Sequence, residues 1–220
     1  MTNTLHRYGA PATLEDDYVV FAMAARGLNE RGATEKYRRF LEIATRHNPN
    51  NLGDATKGSL FRPTKSLNPL AHWFRKDERN APALIEAVEG PTVVSAVFDA
   101  PDKVVAFLRD IKKAELGLSI NISALTGRAD ELSREAGITR HSVEYSLGFF
   151  GNKDILPHQR VLQLSTMCGH GMVSFGLAQK MTDWIKEGRR TPEQAACYMA
   201  RFCTCGVFNT CRAARILGDR

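Results

Sequence analysis

All five cysteines of this chain, Cys168, Cys197, Cys203, Cys205 and Cys211, fall after residue 167 of 220. The stretch "RFCTCGVFNTCRAARIL" carries three of them, and "LSTMCGHGMVS" sets Cys168 two residues before His170 among glycines. Thiolate and imidazole are the ligands that hold zinc and iron–sulfur clusters. Thiolates are also nucleophiles and redox groups. The intervals Cys203-x-Cys205, Cys197-x5-Cys203 and Cys205-x5-Cys211 match neither the C-x2-C knuckle of common zinc sites nor a ferredoxin run. The case for a site therefore rests on where each thiol sits.

Cys168 lies just ahead of a helix whose start is marked by Ser174, and Cys211 lies in the first turn of a helix that opens at Asn209. Helix N-termini present unpaired N–H groups and a partial positive charge, which favour thiolate and an anionic cluster. Gly169, Gly171 and Gly206 let the backbone turn tightly and approach a ligand. The set expected from this is a four-iron cluster ([4Fe–4S]) held by Cys168, Cys203, Cys205 and Cys211. His170 and Cys197 are reserve ligands or groups around the cluster, since Cys197 in "EQAACYMARF" reads as a small apolar side chain inside a helix. The matching function is redox chemistry or metalloenzyme maturation, with a redox or metalloenzyme protein as partner. One alternative is structural zinc on the same residues, in an interaction protein whose basic surface meets an acidic partner. Another is a cofactor-free thiol enzyme with Cys168 as nucleophile, served by His170, His141 or His158.

A second expectation concerns anions. If the strands are parallel, ligands gather beyond their carboxyl ends. That places Thr126, Gly127, Arg128 and Lys153, with Asp99 and Asn152, around an anionic small molecule. Lys57, Arg62 and Lys65, in a loop rich in Asn, Gly, Pro and Ser, could close over it. No GxGxxG or P-loop lysine pattern points to a nucleotide.

These residues need elements to hold them. Residues 14 to 46 carry apolar residues at three and four spacing, which predicts helices broken at "NERG". "TVVSAVFDA" and "LSINISAL" read as strands, joined by a helix that opens at Pro101 and ends near Gly117. A short helix follows, and the alternation in "HSVEYSLGFF" predicts a third strand. The expected fold is thus α/β: N-terminal helices with an irregular loop over 1–90, a small parallel or mixed β-α-β-α-β sheet over 91–153, and a cysteine-bearing helical region over 154–220.

Composition sets the outer bounds. Hydrophobic residues make up 43% and charged residues 25%, ordinary for a globular chain that needs no cysteine staples. No apolar run is long enough to cross a membrane, and the N-terminus lacks a secretory pattern, so the expected location is cytoplasmic, where cysteines bind metals or react. The net charge of +6 suits an anionic partner. The basic clusters are mixed with acids, and no nucleic-acid module is recognisable, so nucleic acid is disfavoured.

Overall fold

A computed structural model of the chain describes residues 7–62 and 79–219. Its centre is a five-stranded sheet in which every neighbouring pair is antiparallel, in the order β3-β2-β4-β1-β5. The strands are β1 (Tyr18–Met23), β2 (Asn51–Asp54), β3 (Gly58–Ser59), β4 (Val93–Phe98) and β5 (Ser119–Ser123). The described helices are α1 (Pro11–Leu14), α2 (Ala33–Thr45), α3 (Ala81–Glu86), α4 (Pro101–Ala114), α5 (Thr126–Glu135), α6 (Gln159–Thr166), α7 (Phe175–Lys186), α8 (Pro192–Ala200) and α9 (Thr210–Gly218).

This overturns the parallel or mixed sheet expected from the sequence. Strands β4 and β5 do run the same way around α4, but β1 lies between them and pairs antiparallel with both. Likewise β4 lies between β1 and β2. Two β-α-β units are interleaved, a split β-α-β arrangement. The element that sequence periodicity missed is β1. "YVVFAM" reads as a helix stripe because it is apolar on successive residues, yet its first five residues are buried. A central strand covered on both faces shows no alternation.

The second correction is "HSVEYSLGFF". It is exposed and forms no strand, with Tyr145 and Leu147 open to solvent. Its alternation is that of a strand, but both sides of β1 and β4 are already taken. The polar linker at residues 50–62 supplies β2 and β3 instead. Lys65 lies outside the described residues. Lys57 pairs with Glu89, while Arg62 is buried and donates to the Phe202 carbonyl at 3.3 Å.

Alternation along the strands splits the core in two. Tyr18, Val20, Ala22, Leu52, Ala96 and Phe98 meet α2 and α4 on one face. Val19, Phe21 and Val97 meet α6 to α9 on the other. The caps expected for that second layer form. Ser174 accepts from Leu177 N, Thr191 and Gln194 make a reciprocal capping box, and Asn209 accepts from Arg212 N. No helix among the described residues is long and apolar enough to cross a membrane.

One contact fixes how closely the cysteine turn approaches the sheet. Gly53 on β2 and Gly206 lie backbone to backbone: a Cβ on Gly53 would sit 2.7 Å from Gly206 Cα and overlap the Cys205 carbonyl. Gly206 also has φ +74°, a conformation glycine adopts without strain. Gly53→Ala is therefore expected to cost about 3 kcal/mol, at the top of the range for overpacking, because backbone rather than a flexible side chain must move. Urea denaturation of the variant beside Gly127→Ala, where a Cβ meets nothing within 4 Å, checks this.

Candidate metal centre

The turn between α8 and α9 carries Cys203 and Cys205, and its main chain is held from three directions. Ser59 Oγ on β3 donates to the Cys203 carbonyl at 3.0 Å, and Ser95 Oγ on β4 donates to the Cys205 carbonyl at 2.7 Å. Asn51 Nδ2 donates to the Phe208 carbonyl at 3.1 Å. These three side chains and Gly53 project from the sheet face that meets the C-terminal layer.

Beyond the turn, a buried charge network locks α9 to the start of β1. Asp17 receives Arg212 at 2.9 Å and Arg7 at 2.8 Å, and Asp17 and Arg212 are each 1% exposed. Arg212 also donates to the Thr13 and Tyr8 carbonyls, at 2.7 and 2.8 Å. Asn209 donates to Asp17 at 3.0 Å and accepts from Asn50 Nδ2 at 3.0 Å, while Arg7 reaches the Val207 carbonyl. Every nitrogen of the Arg212 guanidinium thus finds an oxygen, as a buried charge requires.

Against this fixed turn lies the loop after α6. Cys168 and Cys203 are fully buried and Cys205 is 5% exposed. Cys203 Sγ and Cys205 Sγ are 3.9 Å apart, and His170 Nδ1 is 3.4 Å from Cys205 Sγ. The Cys168 thiol interacts with both Cys203 and His170, which closes the four side chains into a ring of contacts. His170 forms the solvent side, on a loop where Gly169 and Gly171 take φ +74° and +67°. Among the described residues, no three His, Cys, Asp or Glu side chains form a ready-made metal cage. The ring has the donor types, and a bound ion would require the four to turn toward one point.

The other two cysteines stand elsewhere. Cys211 is exposed and interacts with Asp99, with Lys103 and Arg215 nearby. Asp99 is four residues along the chain from Ser95, which holds Cys205, a distance of about 13 Å in a strand. Cys211 therefore does not join Cys168, Cys203 and Cys205, and the expected four-thiol set is not assembled. Cys197 is half-buried on α8, with Arg79 donating to its sulfur at 3.5 Å.

The anion site is not gathered either: β4 and β5 end on one edge, but the start of β1 lies between them, and the basic residue there is already paired. Arg128 on α5 pairs with Glu131 at 2.5 Å, the Thr126 carbonyl takes Arg140 at 3.4 Å, and Gly127 has open space beside it. Lys153 lies exposed in a short 3-10 turn. Leu132 of α5 belongs to the core on the α2 and α4 face, whereas Cys168 belongs to the opposite face, so Thr126 and Arg128 do not confront the cysteines.

Electrostatics in the ring are those of thiols competing for one negative charge. The neighbouring Cys203 thiol, then burial, push the Cys168 pKa far up. For Cys203 the largest single effect is the hydrogen bond with Cys168, which lowers it, but Cys205 and burial together outweigh this and push it up to about 12. Cys205 is lowered, chiefly by the hydrogen bond from Cys203. Cys205 is thus the most readily ionised of the three, and the pKa of the neighbouring His170 is raised, first by its hydrogen bond with Cys168. A nucleophilic Cys168 is disfavoured by this order, since only the thiolate attacks.

Folding of the metal-free, reduced chain acquires a pH dependence from this. Cys168 and Cys203 hold protons in the fold that the unfolded chain releases near pH 9. Their contribution is complete below that value and is lost as pH rises toward about 12. The thermal midpoint of chelated, reduced protein should fall between about pH 8.5 and pH 10, and fall less in Cys168→Ser. Equal slopes would contradict the assignment. Metal affinity should move the opposite way and rise with pH, because bound sulfurs are deprotonated.

Ser59, Ser95, Asn51, Gly53 and Arg212 were not singled out from the sequence, and Asp17 reads there only as an acid in the first turn of a helix, whereas it precedes β1. Apart from Arg212, which follows Cys211, none is near a cysteine in sequence. Comparison of the chain with family models, with curated proteins and with solved structures returned no match.

Proposed function

We propose that this chain is a scaffold or interaction protein whose C-terminal layer is built round one metal ion held by Cys168, His170, Cys203 and Cys205, with zinc as the metal. The observation that carries this reading is the pair of separations 3.9 Å (Cys203 Sγ–Cys205 Sγ) and 3.4 Å (Cys205 Sγ–His170 Nδ1). Zinc–sulfur bonds of about 2.3 Å and zinc–nitrogen bonds of about 2.0 Å in a tetrahedron give edges of about 3.8 and 3.5 Å. Four ligands leave no open position, which is the pattern of a structural rather than catalytic zinc site. Zinc has no redox chemistry, so its work here is mechanical: it ties the loop after α6 to the turn before α9.

An iron–sulfur cluster is the second reading, favoured by the exposed His170 loop with its two left-handed glycines, which can swing outward to admit a larger group. It requires Cys203 and Cys205 to part, since each thiolate of a four-iron cluster binds its own iron. Purification without oxygen and metal analysis separates the two. Colourless protein with one zinc per chain supports the first. Brown protein with iron and sulfide supports the second. Metal-free protein that takes up neither sinks both.

A further inference from the structure

Six ring–cation contacts occur among the described residues, and five of them lie within residues 180–201. About three would be ordinary for a chain of this length. The Trp184 ring on α7 carries Arg189 at 4.7 Å, Lys180 at 5.1 Å and Arg190 at 5.4 Å. Arg190 also meets the Tyr198 ring on α8 at 5.3 Å, and Arg201 meets it at 5.6 Å. Phe202 continues the row, edge-on to Tyr198 at 5.8 Å. Trp184, Tyr198 and Phe202 are half-buried, while Lys180 and Arg189 are exposed. Among the described residues, two nearby cations have acidic partners: Glu187 pairs with Arg189 at 3.3 Å and Asp183 with Lys186 at 3.8 Å, both in solvent.

We propose that this face of α7 and α8 is a docking surface for an acidic segment of another protein. Trp, Tyr and Arg are the side chains that dominate the energetics of protein interfaces. Guanidinium groups laid on aromatic rings are already ordered, so little side-chain entropy remains to be lost on docking. Charge complementarity then selects an acidic partner. Single-stranded nucleic acid is the competing occupant. It is disfavoured because stacking needs free aromatic faces, and here the chain's own cations occupy them. The surface deepens the scaffold reading by naming the partner class. It lies on the same layer as the metal centre, so the metal-loaded protein is the form to test.

The probe is a fluorescein-labelled fifteen-residue peptide of alternating Glu-Leu and Asp-Leu units, read by anisotropy at low and physiological salt. Saturable binding that weakens with salt is expected, and Arg189→Glu with Arg190→Glu should weaken it at least tenfold. Arg39→Glu with Lys113→Glu makes the same change in net charge on α2 and α4, across the sheet, and should leave binding within twofold. Circular dichroism and zinc content confirm that each variant is folded. Equal loss in both pairs would reduce the effect to net charge and overturn the proposal. So would tighter binding of a labelled oligothymidylate than of the peptide, or no binding at low salt. A zinc-loaded protein that binds no peptide leaves the metal reading standing. A metal-free protein that binds the peptide through Arg189 and Arg190 does the reverse.

Discussion

Cys203→Ser is expected to abolish metal retention. Cys203 touches Cys205 at 3.9 Å and interacts with Cys168, so it is the sulfur through which the ring is connected. Losing a ligand should weaken affinity by more than about 100-fold, beyond the 10–100-fold that outer partners of a metal site cost. The zinc content of Cys203→Ser after gel filtration should fall from one per chain to near zero. Its thermal midpoint should become insensitive to chelator, because metal bound only to the folded chain stabilises it by mass action. Cys205→Ser and Cys168→Ser should behave alike. Cys211→Ser should keep its metal, since Cys211 sits beside Asp99. A Cys211→Ser protein that loses metal as fully as Cys203→Ser would refute the ligand set and restore the four-thiol arrangement expected from the sequence.

Asp17→Ala carries the largest expected loss of stability outside the ring. It leaves Arg212, 1% exposed, and Arg7 buried without their counter-ion. Burial already lowers the Arg212 pKa to about 10 even with Asp17 in place. Removing one partner of a buried ion pair costs about 3–5 kcal/mol, because the remaining charge is uncompensated. Urea denaturation should show this as a shifted midpoint at unchanged slope. Asp17→Leu combined with Arg212→Met and Arg7→Met should recover much of the loss, because all three members of the buried network are then apolar and no unpaired charge is left inside. The same network anchors Asn209 and the Val207 carbonyl, so Asp17→Ala should also lower zinc affinity without touching a ligand. Unchanged affinity would mean that the turn is held well enough by Ser59, Ser95 and Asn51.

Much of the helical architecture was legible locally. Ser174, Thr191 with Gln194, and Asn209 cap helices through hydrogen bonds to residues three positions on, and such contacts depend only on nearby sequence. The strands at residues 93–98 and 119–123 were legible for a similar reason: both are β-branched or alternating and bounded by turn residues. What failed was pairing. "YVVFAM" and "HSVEYSLGFF" departed from expectation in opposite ways, the first becoming an interior strand and the second an exposed connection. Periodicity reports which faces are apolar, but not which strand finds a partner.

The candidate site divides along the same line. Cysteine and histidine identity, the glycines that flank Cys168 and His170, and the turn glycine at 206 are properties of the chain and were readable from it. So was the prospect that Cys168 meets Cys203 and Cys205. Only the tertiary structure placed His170 inside the ring and Cys211 beside Asp99. It did so because α9 is seated by Asp17 and Asn50, residues about 160 to 195 positions away in sequence, whose pairing with Arg212 and Asn209 no local spacing encodes. Sequence by itself thus determined which atoms are available for chemistry and how each short segment bends. The antiparallel sheet decided which of them meet, because its second face, with glycine at position 53 and hydroxyls at Ser59 and Ser95, lets the cysteine turn lie directly upon it.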